Sequence, residues 1–174
     1  MKNKALFLDR DGVINIEKDY LYKIEDFEFI DGIFDLCTYY QNLGYIIIIV
    51  TNQSGIARGY YDEKDFNTLT SWMIKQFHDK GINIQHVYYC PHHPDISGAC
   101  NCRKPMPGML LEAKKEFNID MNHSLMIGDK ERDILAALHA GVTQTYLFDE
   151  NNCIKKSQAT KIVNKLDDIW KKTC

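Results

Sequence analysis

Four places along this chain set reactive side chains where chemistry could be done. Asp9 and Asp11 stand two apart, directly after the apolar run Ala5–Leu8, so an extended backbone would aim both carboxylates to one side. The polar stretch Thr51-Asn52-Gln53-Ser54-Gly55 follows the apolar run Tyr45–Val50. Gly128-Asp129-Lys130 follows Ser124–Ile127, with Asp133 one helical turn further on. The fourth place is an aperiodic loop carrying Cys90, His92, His93, Cys100 and Cys102 just ahead of Arg103 and Lys104. Singly these are ordinary features. An Asp after a strand is usually a turn or helix cap, and Asp133 reads equally well as a solvated helix position. The Thr51–Gly55 stretch lacks the glycine that a serine-hydrolase elbow needs at position 52.

Together they suit phosphoryl transfer. Carboxylates gathered at a sheet edge repel each other unless a proton or cation intervenes, and hard oxygen ligands of this kind suit Mg²⁺. A carboxylate attacking a phosphate faces a like-charge cost of about 4 kcal/mol per unit pair at about 4 Å and an effective dielectric near 20. A divalent cation and a lysine, Lys104 or Lys130, would offset it. Thr51, Asn52 and the backbone N–H groups after them offer donors for phosphoryl oxygens. With Asp9 as nucleophile, Asp11 would protonate the leaving alkoxide and later deprotonate water. The loop offers three thiolates and an imidazole, His92 or His93, which suits tetrahedral zinc. Four protein ligands would make that zinc structural. A disulfide between Cys100 and Cys102 would be strained.

The elements that must position these residues follow from periodicity. Ala5–Leu8, Tyr45–Val50, His86–Tyr89, Ser124–Ile127 and Thr143–Phe148 read as strands, the second covered on both faces. Helices are expected after Asp31 (ending at Gly44) and Asp62 (ending at Gly81), over Gly108–Phe117 and Lys130–Ala140, and over Thr160–Lys172. The alternation predicts an α/β fold with a doubly wound parallel sheet, residues 1–174 forming one domain and about 90–107 a zinc-loop insertion. In such sheets ligands sit beyond the carboxyl ends of the strands, where the first three motifs fall. Cys37 lies on an apolar helix face and reads as a core residue. The formal charge of −3, with no basic run, excludes a broad nucleic-acid footprint. No apolar run approaches a membrane span, and no signal peptide is evident. The expectation is a cytoplasmic protein with no membrane partner, working as a monomer.

Asp9–Asn15, Thr51–Gly59, Arg103–Met109 and Gly128–Lys130 resemble, in sequence and order, the haloacid dehalogenase superfamily. Within it they are most similar to the heptose bisphosphate and histidinol phosphatases. The resemblance covers roughly residues 4–148. It implies a core with little or no cap, an aspartyl phosphate on Asp9, and Asp11 as general acid and base. Mg²⁺ would be held by Asp9, Asp11 and Asp129 beside Lys130, and the phosphoryl group by Thr51 and Asn52 with Gln53 and Ser54 following. Lys104 would balance its charge, Arg103 would contact the rest of the substrate, and Glu17, Lys18, Asp19 and Tyr20 would line the entrance. The zinc ligands implied are Cys90, His92, Cys100 and Cys102. The expected substrate is a small sugar bisphosphate, heptose 1,7-bisphosphate, with Arg103 and Lys18 on its second phosphate. Histidinol phosphate is the alternative within the same chemistry, and a non-catalytic zinc-stabilised binding protein the alternative outside it.

Overall fold

Residues 5–8, 47–51 and 125–128 are buried without a break, so these runs form the central strands of a parallel sheet. In the computed structural model, which describes residues 2–171, the elements in chain order are β1 (Lys4–Leu8), α1 (Ile33–Asn42), β2 (Tyr45–Asn52), α2 (Glu63–His78) and β3 (Ile84–Cys90). They continue with the single turn α3 (Pro94–Ser97), then α4 (Gly108–Glu116), β4 (Leu125–Gly128), α5 (Glu131–Ala140), β5 (Gln144–Phe148) and β6 (Lys161–Val163). The sheet order is β3-β2-β1-β4-β5-β6, and every pairing is parallel. Side chains alternate across it. Leu6 and Leu8 of β1 join a core with Ile33 and Leu36 of α1 and Leu69, Met73 and Phe77 of α2. Ala5 and Phe7 join Met109, Leu110 and Ala113 of α4 and Ala136 and Ala137 of α5. Helices on both faces make the sheet doubly wound, and each large apolar side chain so buried is worth about 1.5–3 kcal/mol. Cys37 is fully buried in the first core. Residues 9–32, between β1 and α1, contain only a 3-10 turn, so no cap domain is inserted there.

Two details differ from expectation. Helix α1 is capped by Gly32 in the left-handed region rather than by Asp31, whereas Asp62 does cap α2 by accepting from Asp65 N at 2.8 Å. The expected helix over Thr160–Lys172 is instead strand β6 followed by a 3-10 turn at Leu166–Ile169. The open edge of β5 decides this. Thr145 and Thr160 exchange backbone-to-hydroxyl hydrogen bonds at 3.0 and 3.2 Å, and Ile162 and Val163 then extend the ladder where a helix would leave that edge unpaired. Lys172 and Cys174 lie outside the described residues.

From β1 the chain winds to β2 and β3 on one side, then crosses back to β4 on the other. The reversal opens a crevice at the carboxyl ends of β1 and β4, which is where Asp9 and Asp129 follow their strands.

Candidate active site

The first carboxylate leaves β1 in register with β4: Asp9 N donates to Ile127 O at 3.0 Å. That pairing brings the ends of the two strands together. Carboxylate oxygens of Asp9, Asp129 and Asp133 consequently lie within 4.8 Å of one another. Lys104 enters from the far loop and balances two of them. Its Nζ sits 2.9 Å from Asp9 Oδ1 and 2.8 Å from Asp133 Oδ1, and it donates to Val50 O at 2.7 Å. Asp133 is therefore no solvated helix position: it is fully buried, and its Oδ2 accepts from Lys130 N at 3.0 Å. Gly128 makes this possible, since a Cβ there would stand 2.3 Å from Asp133 Cβ.

The electrostatics reflect crowding. Burial pushes the Asp9 carboxyl well above the ordinary carboxylate range, and Asp133, Asp129 and Asp11 add to the effect while Lys104 opposes it. Burial likewise lifts Asp129 to about 6, with Lys130 pulling the other way. For Lys104, burial works against the charge, but Asp133 and Asp9 outweigh it and hold the ammonium above its usual range. Asp129 Oδ2 pairs with Lys130 Nζ at 2.7 Å, whereas Asp129 Oδ1 is buried with no hydrogen-bond partner. An orphaned carboxylate oxygen among excess acid is a place that fits a hard cation.

Beside these groups opens a cleft of about 220 Å³. Glu17, Lys18, Asp19 and Tyr20 line it, together with Asp11, Asn52, Gln53, Ser54 and Arg103. Thr51 is instead buried under it, its hydroxyl accepting from Gln53 Nε2 at 2.8 Å. Asn52 uses both ends of its amide on the backbone of Lys104, donating to the carbonyl at 3.1 Å and accepting from the N–H at 3.0 Å. That side chain ties the lysine loop to β2. Lys130 bridges Asp129 and Glu17, the latter at 3.3 Å. Sequence reasoning missed Arg58, Arg132, Arg10 and Tyr61, which also line the cleft. Arg58 lies inside the quoted Thr51–Gly59 motif, which was the available signal. Arg132 had none, because only the packing of α5 turns it to the cleft.

The cysteine loop forms a compact cluster. Cys102 Sγ lies 2.9 Å from Cys90 Sγ and 3.4 Å from Cys100 Sγ, and His92 Nδ1 lies 3.3 Å from Cys102 Sγ and 3.7 Å from Cys90 Sγ. Zinc–sulfur bonds of about 2.3 Å in a tetrahedron give S···S edges of about 3.7 Å, so the four donors are near the right size for one ion. His93 faces away: its Nε2 meets Arg58 Nη2 at 2.7 Å, and its ring caps α3. That leaves His92 in the cluster and His93 outside it.

A doubly wound parallel sheet whose reversal point carries an Asp-x-Asp pair, a buried lysine and a third strand-end carboxylate defines the haloacid dehalogenase-like hydrolases. Residues 101–169 match the HAD-hydrolase-like family model. A D-glycero-alpha-D-manno-heptose-1,7-bisphosphate 7-phosphatase of Campylobacter jejuni is 56% identical over 86% of this chain and 85% of its own. The D-glycero-beta-D-manno-heptose-1,7-bisphosphate 7-phosphatase of Photorhabdus laumondii is 46% identical over 96% of this chain and 93% of its own. Among solved structures, the D,D-heptose 1,7-bisphosphate phosphatase of B. bronchiseptica, complexed with magnesium and phosphate, superimposes with a TM-score of 0.82 at 27% identity, covering 95% of each chain. The chain belongs to the heptose-1,7-bisphosphate 7-phosphatase family, and it is a phosphoric monoester hydrolase. None of its helices, among the described residues, is long and apolar enough to cross a membrane.

Proposed function

We propose that this enzyme hydrolyses the 7-phosphate of D-glycero-D-manno-heptose 1,7-bisphosphate through an aspartyl phosphate on Asp9. The observation that carries the substrate reading is surplus positive charge on the cleft. Arg58, Arg103 and Arg132 all line it, and none forms an ion pair with a carboxylate among the described residues. One phosphoryl group already has Lys104 beside Asp9, so three further guanidinium groups suit a second phosphate, which they can engage in paired hydrogen bonds. Lys18 is less suited, being held by Asp26 O at 2.7 Å.

In the reaction, Asp9 attacks phosphorus as the bond to the C7 oxygen breaks, and Asp11 delivers a proton to that oxygen. Asp11 then takes a proton from water as the water oxygen attacks phosphorus and releases Asp9. Lys104 keeps its charge at the nucleophile throughout. Mg²⁺ bound by Asp9, Asp129 and the carbonyl of Asp11 would supply the positive charge that lets a carboxylate approach a phosphate dianion. Lys130, itself paired with Glu17, holds Asp129 from the outer side.

Phosphate release from heptose 1,7-bisphosphate, histidinol phosphate and p-nitrophenyl phosphate, each with and without Mg²⁺, tests this reading. The bisphosphate is expected to exceed both others in kcat/KM by about 10²-fold or more, the weight of one or two charge-assisted contacts, and only with Mg²⁺ present. Preference for histidinol phosphate, whose ammonium the guanidinium groups would repel, sinks the substrate choice.

Zinc at Cys90, His92, Cys100 and Cys102 would be structural, since the protein fills all four positions. Arg103 and Lys104 follow Cys102 directly, so the ion would fix a cleft cation and the partner of Asp9. Removing it should lower the melting temperature and raise KM several-fold, with kcat falling as Lys104 loosens. Metal analysis paired with kinetics decides the matter: zinc-free protein with unchanged constants refutes the coupling.

A further inference from the structure

Asp11 is held at both carboxylate oxygens, but unequally. Oδ1 accepts from Arg10 Nε and Nη2 at 3.2 and 3.0 Å and from Asn15 Nδ2 at 3.1 Å, which fills its lone pairs. Oδ2 accepts from Gln53 Nε2 at 2.9 Å and keeps a lone pair. With Asp11 on the cleft wall, Oδ2 is the oxygen able to carry a proton to and from a ligand. Arg10 and Asn15 anchor the carboxylate at Oδ1, and the Gln53 amide sets Oδ2 itself.

That amide is itself buried and fully engaged. Gln53 is 2% exposed; Nε2 also donates to Thr51 Oγ1, and Oε1 accepts the hydroxyl of Tyr61. Without the Tyr61 hydroxyl, Oε1 would be a buried acceptor with no partner, and the amide would turn or shift to find one. Either movement takes Nε2 away from Asp11; a full flip would set Oε1 against Oδ2, acceptor facing acceptor. Tyr61 cannot follow such a shift. Its ring stacks on Tyr22 at 5.4 Å and 17°, and the backbone of Gly55 presses so closely that a Cβ there would lie 2.2 Å from Tyr61 Cε1.

We infer that Tyr61 is a positioning residue that, through Gln53, fixes Asp11 Oδ2 in the direction of proton transfer to the leaving group. This rests on the phosphatase reading, in which the P–O bond to the alcohol breaks and the alkoxide takes the proton from Oδ2. Water later returns a proton to the same oxygen as it displaces Asp9.

Leaving groups separate this role from a general structural one. An alkoxide needs the proton, whereas p-nitrophenolate departs without it. In single-turnover experiments with Mg²⁺, Tyr61→Phe should slow alcohol release from an alkyl phosphate about tenfold, the weight of one hydrogen bond in orienting the acid. Release of p-nitrophenol should fall far less, with KM for both esters close to wild type and the melting temperature lowered by only about 2–10 °C, the cost of one unpaired buried acceptor. Gln53→Leu should give the same selectivity, more strongly. Equal slowing of both esters, a change confined to KM, or no slowing of the alkyl ester overturns the inference. Failure of wild-type enzyme to release either alcohol would strike the phosphatase reading instead.

Discussion

Asp9→Asn is expected to lower turnover by about 10⁴-fold or more, because an amide at this position can form no acyl phosphate and the remaining groups only bind. The loss should not come from unfolding. Burial and three neighbouring carboxylates raise the Asp9 pKa, so in the metal-free protein its ionised form opposes folding. A carboxyl whose folded pKa is raised contributes stability that is complete below its unfolded pKa and lost as pH rises through the folded one. At neutral pH, Asp9→Asn without Mg²⁺ should therefore melt no lower than wild type, and the two should converge as pH is lowered toward the ordinary carboxylate range. Thermal melts across that range, alongside kcat, check both halves. A variant that keeps full turnover removes the nucleophile assignment, and one that melts much lower at neutral pH contradicts the charge balance.

The second large effect concerns Lys104. It is 1% exposed and touches Asp9 and Asp133, so its removal leaves two buried carboxylates facing each other without a cation. Breaking a buried charge cluster in this way costs about 3–5 kcal/mol. Lys104→Met should thus lower the melting temperature by about 10 °C in a chain of this size. Turnover should fall by about 10²–10³-fold, as for loss of one transition-state charge partner. Adding Asp133→Asn should restore part of the stability, since one uncompensated charge disappears, yet none of the turnover. The pair of measurements separates the two roles of this lysine. Recovery of activity in the double variant would show that Lys104 acts on folding alone.

The cysteine loop and the lysine beside Asp9 are one feature in physical terms. Asn52 clamps the backbone of Lys104 at both polar groups, and Cys102 lies two residues upstream. Apart from the single turn α3, the loop has little else to fix a buried ammonium within 3 Å of two carboxylates.

Much of this was determined by sequence alone. The consecutive β-branched residues of Tyr45–Val50 marked a strand covered on both faces, and the shorter apolar runs before Asp9 and Asp129 read as strands ending at those carboxylates. The cysteines and histidines of the aperiodic loop pointed to a metal, and the fold brings Cys90, His92, Cys100 and Cys102 into one cluster. What tertiary structure alone decided were matters of long-range registration. Asp133 became a buried ion-pair partner because Gly128 lets α5 lie close under β4, an approach no helical periodicity encodes. Ile162 and Val163 became a strand because β5 offered an open edge, overriding the local helical pattern. Arg58, Arg132 and Tyr61 reached the cleft through the packing of segments remote in the chain from Asp11. A side chain's type is written in the sequence, but whether it faces water, a carboxylate or a ligand is settled by neighbours tens of residues away, whose contacts exist only once the core has formed.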